Sequence, residues 1–132
     1  MLRLLVVLAL LLPASASAKF VFFQTPSHNI GCAYSSSPAS LRCDIRTGLK
    51  PPPSKPKGCQ NDWTFGYSVN ATGPARKVCA GDTVFSPTAK VIRYGTTWRG
   101  GAFTCKSSTS GLRCKNRSGH GFFISRAHSF RF

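Results

Sequence analysis

Six cysteines, at positions 32, 43, 59, 79, 105 and 114, constrain this chain more than any other feature of its sequence. Two of the intervals between them share a plan. Residues 32–46 (CAYSSSPASLRCDIR) and 105–117 (CKSSTSGLRCKNR) each hold a cysteine, a serine-rich link, then Leu-Arg-Cys and an arginine three places on. The first copy has Leu41, Arg42, Cys43 and Arg46; the second has Leu112, Arg113, Cys114 and Arg117. A cysteine on either side of a short turn-rich link is the pattern of a β-hairpin stapled across its own strands. Six cysteines permit 15 pairings in principle. The repeat selects one: Cys32 with Cys43 and Cys105 with Cys114, which leaves Cys59 for Cys79. Closing loops of this length contributes roughly 2.5–3.5 kcal/mol each in the chain-entropy account. Zinc would require close cysteine pairs of the C-x2-C kind, and the chain has none, so neither a metal nor any other cofactor is expected.

Such a framework presupposes an oxidising compartment, and the start of the chain agrees. Residues 1–18 read as a secretory signal: Arg3 supplies the charge, residues 4–12 an apolar run, and Ala16, Ser17 and Ala18 a small-residue cleavage site. The run is shorter than the ~20 apolar residues that span a bilayer. No cysteine follows the cut to carry a lipid, and nothing later is apolar enough to cross. The expected product is residues 19–132, one disulfide-stabilised domain around one small core, monomeric and either secreted to the outside or held in the periplasm.

Within that domain the pattern is that of strands. Residues 19–24 (KFVFFQ) form a first strand that Thr25 and Pro26 break. Residues 48–58 (GLKPPPSKPKG) are a basic, extended surface loop, because proline lacks a donor and fixes φ. Residues 63–69 alternate, with Trp63, Phe65, Tyr67 and Val69 on one face, which marks a half-buried strand. Further short strands are expected at 77–80, 90–94, 121–125 and 128–132. No sustained helical period appears, although a short helix after Asp62 is a competing expectation. The fold class is therefore all-β, a small stapled sandwich or barrel of about eight short strands.

Several spaced motifs give this pattern a likeness: PSHNIGC (26–32), RCDI (42–45), AGDTV (80–84), Tyr94-Gly95, GLRCKN (111–116) and GHGFFISR (119–126). In these elements and their order the chain resembles a family of small exported bacterial proteins, frequent in actinobacteria and catalogued as a domain of unknown function. The resemblance covers nearly the whole of residues 19–132. It implies a shared fold and an exported life, and it carries no activity to transfer. That family usually has glycine where this chain has His28, which weakens any mechanism built on His28.

Charge narrows the function. The chain has 18 Lys and Arg against three Asp and no Glu, a formal charge of +15. Loss of Arg3 with the leader takes one from that excess. A surplus of this size attracts polyanions such as nucleic acid, anionic lipid head groups or acidic wall polymers; it also serves plain solubility. After Asp82 no acidic residue occurs, while basic residues alternate with aromatic ones to the end of the sequence. That interleaving suits an anionic polymer, with cations for its charges and rings for stacking, although in a small domain most of the rings are expected in the core. The residues expected to bind are Arg113, Lys115, Arg117, His120 and Arg126.

Catalysis has thinner support. His120, flanked by Gly119 and Gly121, and His28 are the candidate acid–base residues of a small basic hydrolase, nuclease-like in chemistry, since imidazole titrates near neutrality. The bland alternative for His120 is a histidine in a tight turn, bonded to a backbone carbonyl. Glycosidase chemistry requires two placed carboxylates, and the three aspartates offer none: Asp82 follows Gly81 as a turn former and Asp44 suits pairing with an arginine. The ten-residue alternation of an outer-membrane barrel is missing. Asn70 and Asn116 head glycosylation sequons that matter only in a eukaryotic host. The sequence thus favours a non-catalytic, exported module for an anionic partner at or beyond the cell envelope. A hydrolase using His120 and a cationic antimicrobial or effector protein stand as alternatives.

Overall fold

A computed structural model describes residues 7–13 and 17–132. Residues 1–6 and 14–16 of the expected leader, with Arg3 and Ala16, lie outside the described residues. The described chain is all-β, without a helix, and no helix in it is long and apolar enough to cross a membrane.

Eleven strands build two sheets. The first contains β1 (Phe20–Gln24), β2 (Ile30–Ser36), β3 (Ala39–Ile45), β4 (Gly66–Asn70), β5 (Arg76–Lys77) and β6 (Lys90–Val91), in the order β5-β4-β3-β2-β1-β6. The second contains β7 (Thr97–Gly100), β8 (Phe103–Ser108), β9 (Gly111–Lys115), β10 (Gly121–Ile124) and β11 (Ser129–Arg131), in the order β11-β10-β9-β8-β7. Every neighbouring pair is antiparallel except β1 and β6. The strands expected at 77–80 and 90–94 are cut to two residues each, as β5 and β6, and β7 is an addition, starting at Thr97, which reads in the sequence as the close of a turn.

One expected strand begins late. The run 63–69 becomes extended only at Gly66, because Asp62 accepts hydrogen bonds from the Thr64 amide at 2.8 Å and hydroxyl at 2.7 Å, curling the chain into a local turn. The Trp63 indole is drawn away to the proline-rich loop, where it donates to the Pro53 carbonyl at 3.0 Å.

Alternation along the strands sends one face of each sheet into a shared core. Phe23, Tyr34, Leu41, Tyr67 and Val69 meet Phe103, Leu112, Phe122 and Ile124 there. The Phe23 and Trp98 rings stack across the sheets at 4.4 Å, and Tyr67 and Phe122 lie 5.9 Å apart. Each such ring contributes about 1.5–3 kcal/mol of hydrophobic stabilisation on burial.

The three disulfides are Cys32–Cys43, Cys59–Cys79 and Cys105–Cys114, and no free cysteine remains. In both hairpins the bonded cysteines are direct partners in the antiparallel register, with Cα atoms 4.1 Å apart. This is the arrangement that the repeated Leu-Arg-Cys units predict. Three disulfides with no spare thiol are the chemistry of an oxidising compartment.

Candidate binding face

The two sheets share a core but differ on their outer faces. Residues on β2 and β3 that point away from the core include Gly31, Arg42 and Asp44, and the segment 82–85 runs over them. Asp44 is fully buried. It takes two hydrogen bonds from the Arg42 guanidinium, at 3.0 and 2.9 Å, and a third from the Val84 amide at 3.0 Å. Arg42 also reaches the Asp82 carboxylate at 3.1 Å and its carbonyl at 2.8 Å. Burial pushes the Asp44 carboxyl above the ordinary carboxylate range, with the hydrogen bonds and charge of Arg42 and the Val84 amide pulling the other way. Burial likewise opposes the charge on Arg42, but its bonds to Asp44 and Asp82 more than compensate and hold the guanidinium protonated.

Glycine makes the closure fit. A Cβ on Gly31 would lie 2.6 Å from the Phe85 ring, and one on Gly66 would collide with the Asp44 carboxylate. Arg46 also packs on Phe85, its guanidinium 3.9 Å from the ring centre.

Among the described residues nothing comparable covers the five-stranded sheet, whose outward Lys106, Arg113 and Lys115 are exposed. Its strand registers lay the outward residues in two rows. One runs Thr97, Lys106, Arg113, Phe123, Phe130, and the next runs Arg99, Thr104, Lys115, Gly121. Phe132 extends the second row, since its amide and carbonyl both pair with Gly121, at 3.0 and 2.9 Å. The cations therefore stand on β7 to β9 and the rings on β10 and β11. Lys106, Arg113 and Lys115 are exposed, and with Thr104 they line a dimple of about 60 Å³.

The rings form a connected group. Phe130 lies 5.4 Å from Phe123, 5.9 Å from His128 and 6.3 Å from Phe132. Arg113 bridges the two halves, its guanidinium 3.9 Å above the Phe132 ring, while the lack of a side chain on Gly121 lets β10 approach the backbone of Cys114 and Lys115 closely. Cation–π contact of this kind orients an arginine without neutralising it. No acidic side chain stands in this sheet, because the chain's three acidic residues are Asp44, Asp62 and Asp82.

The five residues expected to bind are thus divided. Arg113 and Lys115 share the face. Lys106, which sequence reasoning did not select, completes their cluster. Arg117 and His120 sit in the turn between β9 and β10, and Arg126 in the turn between β10 and β11, at the opposite end of β10. There Arg126 borders an open cleft of about 510 Å³ together with Asn29, Tyr94, Ser110 and His128.

The histidines are divided as well. The His120 amide donates to Asn116 Oδ1 at 3.0 Å and the Asn116 amide donates to the His120 carbonyl at 2.8 Å, which makes His120 a turn residue whose backbone is held. It borders a shallow cleft of about 400 Å³ with Tyr67, Arg131 and Phe132, and neither an acidic side chain nor a second histidine is among the described residues lining it. Burial raises the Tyr67 hydroxyl above its ordinary range, against the pull of Arg131. His28 lies in the β1–β2 turn with φ of 58°, the left-handed region that glycine enters most easily, and its Nδ1 is 2.8 Å from Gln24 Oε1. Strand β10 and its flanking turn separate His120 from His128, a distance of more than about 13 Å at the usual rise per residue.

A family described only as a family of unknown function (DUF6636) matches residues 3–132. The chain belongs to that family. No curated protein and no solved structure matches it. For this DUF6636 chain, then, chemistry has to be argued from the faces and clefts themselves.

Proposed function

We propose that this chain is an exported, non-catalytic binding module, secreted or periplasmic, that holds an anionic polymer on the outer face of its five-stranded sheet. The observation that carries the proposal is the convergence of Lys106, Arg113 and Lys115 on one exposed dimple in a sheet without an acidic side chain. Three uncompensated cations on adjacent strands repel one another in the free protein, and an anion relieves that repulsion. The stapled fold offsets its cost.

The hydrolase alternative has less to support it. Acid–base catalysis on a phosphodiester needs a proton donor and a proton acceptor at one bond, and His120 has only Arg131 and Tyr67 for titratable company in its cleft. Membrane disruption as an antimicrobial or effector rests on net charge alone.

Titration of the mature protein with inorganic polyphosphate tests the proposal. Affinity is expected to fall steeply and linearly on a log–log plot against salt, as counterion release requires. The triple variant K106Q/R113Q/K115Q is expected to lose most of that affinity and most of the slope. RNA incubated with the protein should stay intact. Binding unchanged in the triple variant, or metal-independent RNA cleavage abolished by His120→Ala, would overturn it.

A further inference from the structure

We propose that the polymer is a single-stranded nucleic acid, its phosphates on Lys106, Arg113 and Lys115 and its bases on the rings of Phe123 and Phe130. This rests on the polyanion reading of the same face and specifies its ligand. The cations alone would serve any polyanion; the rings are what narrow the class.

Phenylalanine belongs in the core, and this sheet buries Phe103 and Phe122 there, yet Phe130 is 41% exposed on the outer side. Its neighbours share its orientation: the Phe123 ring is tilted from it by 24° and the His128 imidazole by 10°. Nearly parallel planes form a platform for flat groups. Inorganic polyphosphate and phosphate-linked polyols have no flat groups to place on it, and in a duplex the base faces are already stacked on one another. A single strand offers an exposed π-face at every nucleotide whatever its sequence.

The spacing fits a nucleotide. Arg113 and Phe123 are register partners on adjacent strands, and Phe130 is one strand further on. With about 4.8 Å between strands, Phe123 and Phe130 stand roughly 5–10 Å from Arg113 across the sheet. That is the reach from a backbone phosphate to its own base. Arg113, over the Phe132 ring, keeps guanidinium N–H groups to meet the phosphate between them.

The test compares three probes by fluorescence anisotropy or competition: a labelled oligothymidylate of about ten nucleotides, the same sequence as a duplex, and inorganic polyphosphate of matched charge. The single strand is expected to bind at least about tenfold more tightly than either competitor. Phe130→Ala should weaken the single strand by about tenfold and leave polyphosphate within about twofold, while Phe130→Trp, which keeps a stacking plane, should restore single-strand affinity. Equal affinity for duplex and single strand, equal loss of both ligands in Phe130→Ala, or tighter binding to vesicles containing phosphatidylglycerol would overturn the inference. In those cases K106Q/R113Q/K115Q separates the levels. If that variant loses polyphosphate, the polyanion face stands and only the nucleic-acid assignment falls; if it binds every probe as the wild type does, both fall.

Discussion

The two stapled hairpins begin alike and end differently. In the first, Leu41-Arg42-Cys43 is followed by Asp44; in the second, Leu112-Arg113-Cys114 is followed by Lys115. Leucine and cysteine face the core in both copies, and the arginine faces out in both. Beside Asp44, Arg42 becomes the centre of a buried ion pair that draws Asp82 and the segment 82–85 over the sheet. Beside Lys115, Arg113 has no acidic side chain to turn to, lies on the Phe132 ring, and leaves its sheet open. A single residue after the second cysteine thus accompanies the difference between a face that closes on its own chain and a face left for something else.

The sharpest way to break this comparison is to truncate the two divergent residues. Asp44→Ala leaves Arg42 without its buried partner and releases the Val84 amide, at a cost of about 3 kcal/mol; the value sits at the low end for buried pairs because Asp82 still meets the guanidinium. Lys115→Ala should change stability by less than about 0.5 kcal/mol. Urea unfolding of both variants checks the contrast, and similar costs would abolish it. Removing the staples as double alanine variants, C32A/C43A and C105A/C114A, should cost about 2.5–3 kcal/mol each, with the two values close because the loops span 11 and 9 residues. A much larger loss in one hairpin would show that its bridge does more than shorten the unfolded chain.

Gly31→Ala acts on the covered face alone. The new methyl displaces Phe85, and a destabilisation of about 1–3 kcal/mol is expected, together with faster proteolysis in the segment 82–85. The smallest effect is at Asp62, an exposed carboxylate that its hydrogen bonds from Thr64 hold below the ordinary range. The unfolded chain binds that proton more readily than the folded one, so the stabilisation is complete above the unfolded value of 3.8 and is lost as pH falls through the lower folded value. The difference in urea midpoint between wild type and Asp62→Asn should therefore be small near about pH 6 and vanish in strong acid.

Much of this architecture was legible in the residues. The repeated Leu-Arg-Cys unit chose the disulfide pairing, and that pairing carries the register: once Cys105 stands opposite Cys114, Lys106 must stand opposite Arg113. The signal for the missing third cation was therefore present in the staple. Proximity in sequence grouped Arg117, His120 and Arg126 with Arg113, and β10 sends their turns to opposite ends of the sheet. The cover over the first sheet was not legible, because residues 82–85 have no periodicity and Asp82 beside Gly81 looks like an ordinary turn former. Its counterpart, the buried Asp44, was expected to pair with an arginine and does. The rings divided along the same line: alternation assigns Phe122 to the core and Phe123 to the surface, but only the pairing of β10 with β11 brings Phe123, Phe130 and His128 together.

The Cys105–Cys114 bridge has one more consequence. It lies directly beneath the face, joining the strand that carries Lys106 to the strand that carries Arg113 and Lys115. The cations are thereby preorganised against their mutual repulsion before any ligand arrives, so that association forfeits little conformational freedom. Affinity for polyanions should accordingly depend on redox state, the oxidised protein binding more tightly than a reduced form that is still folded.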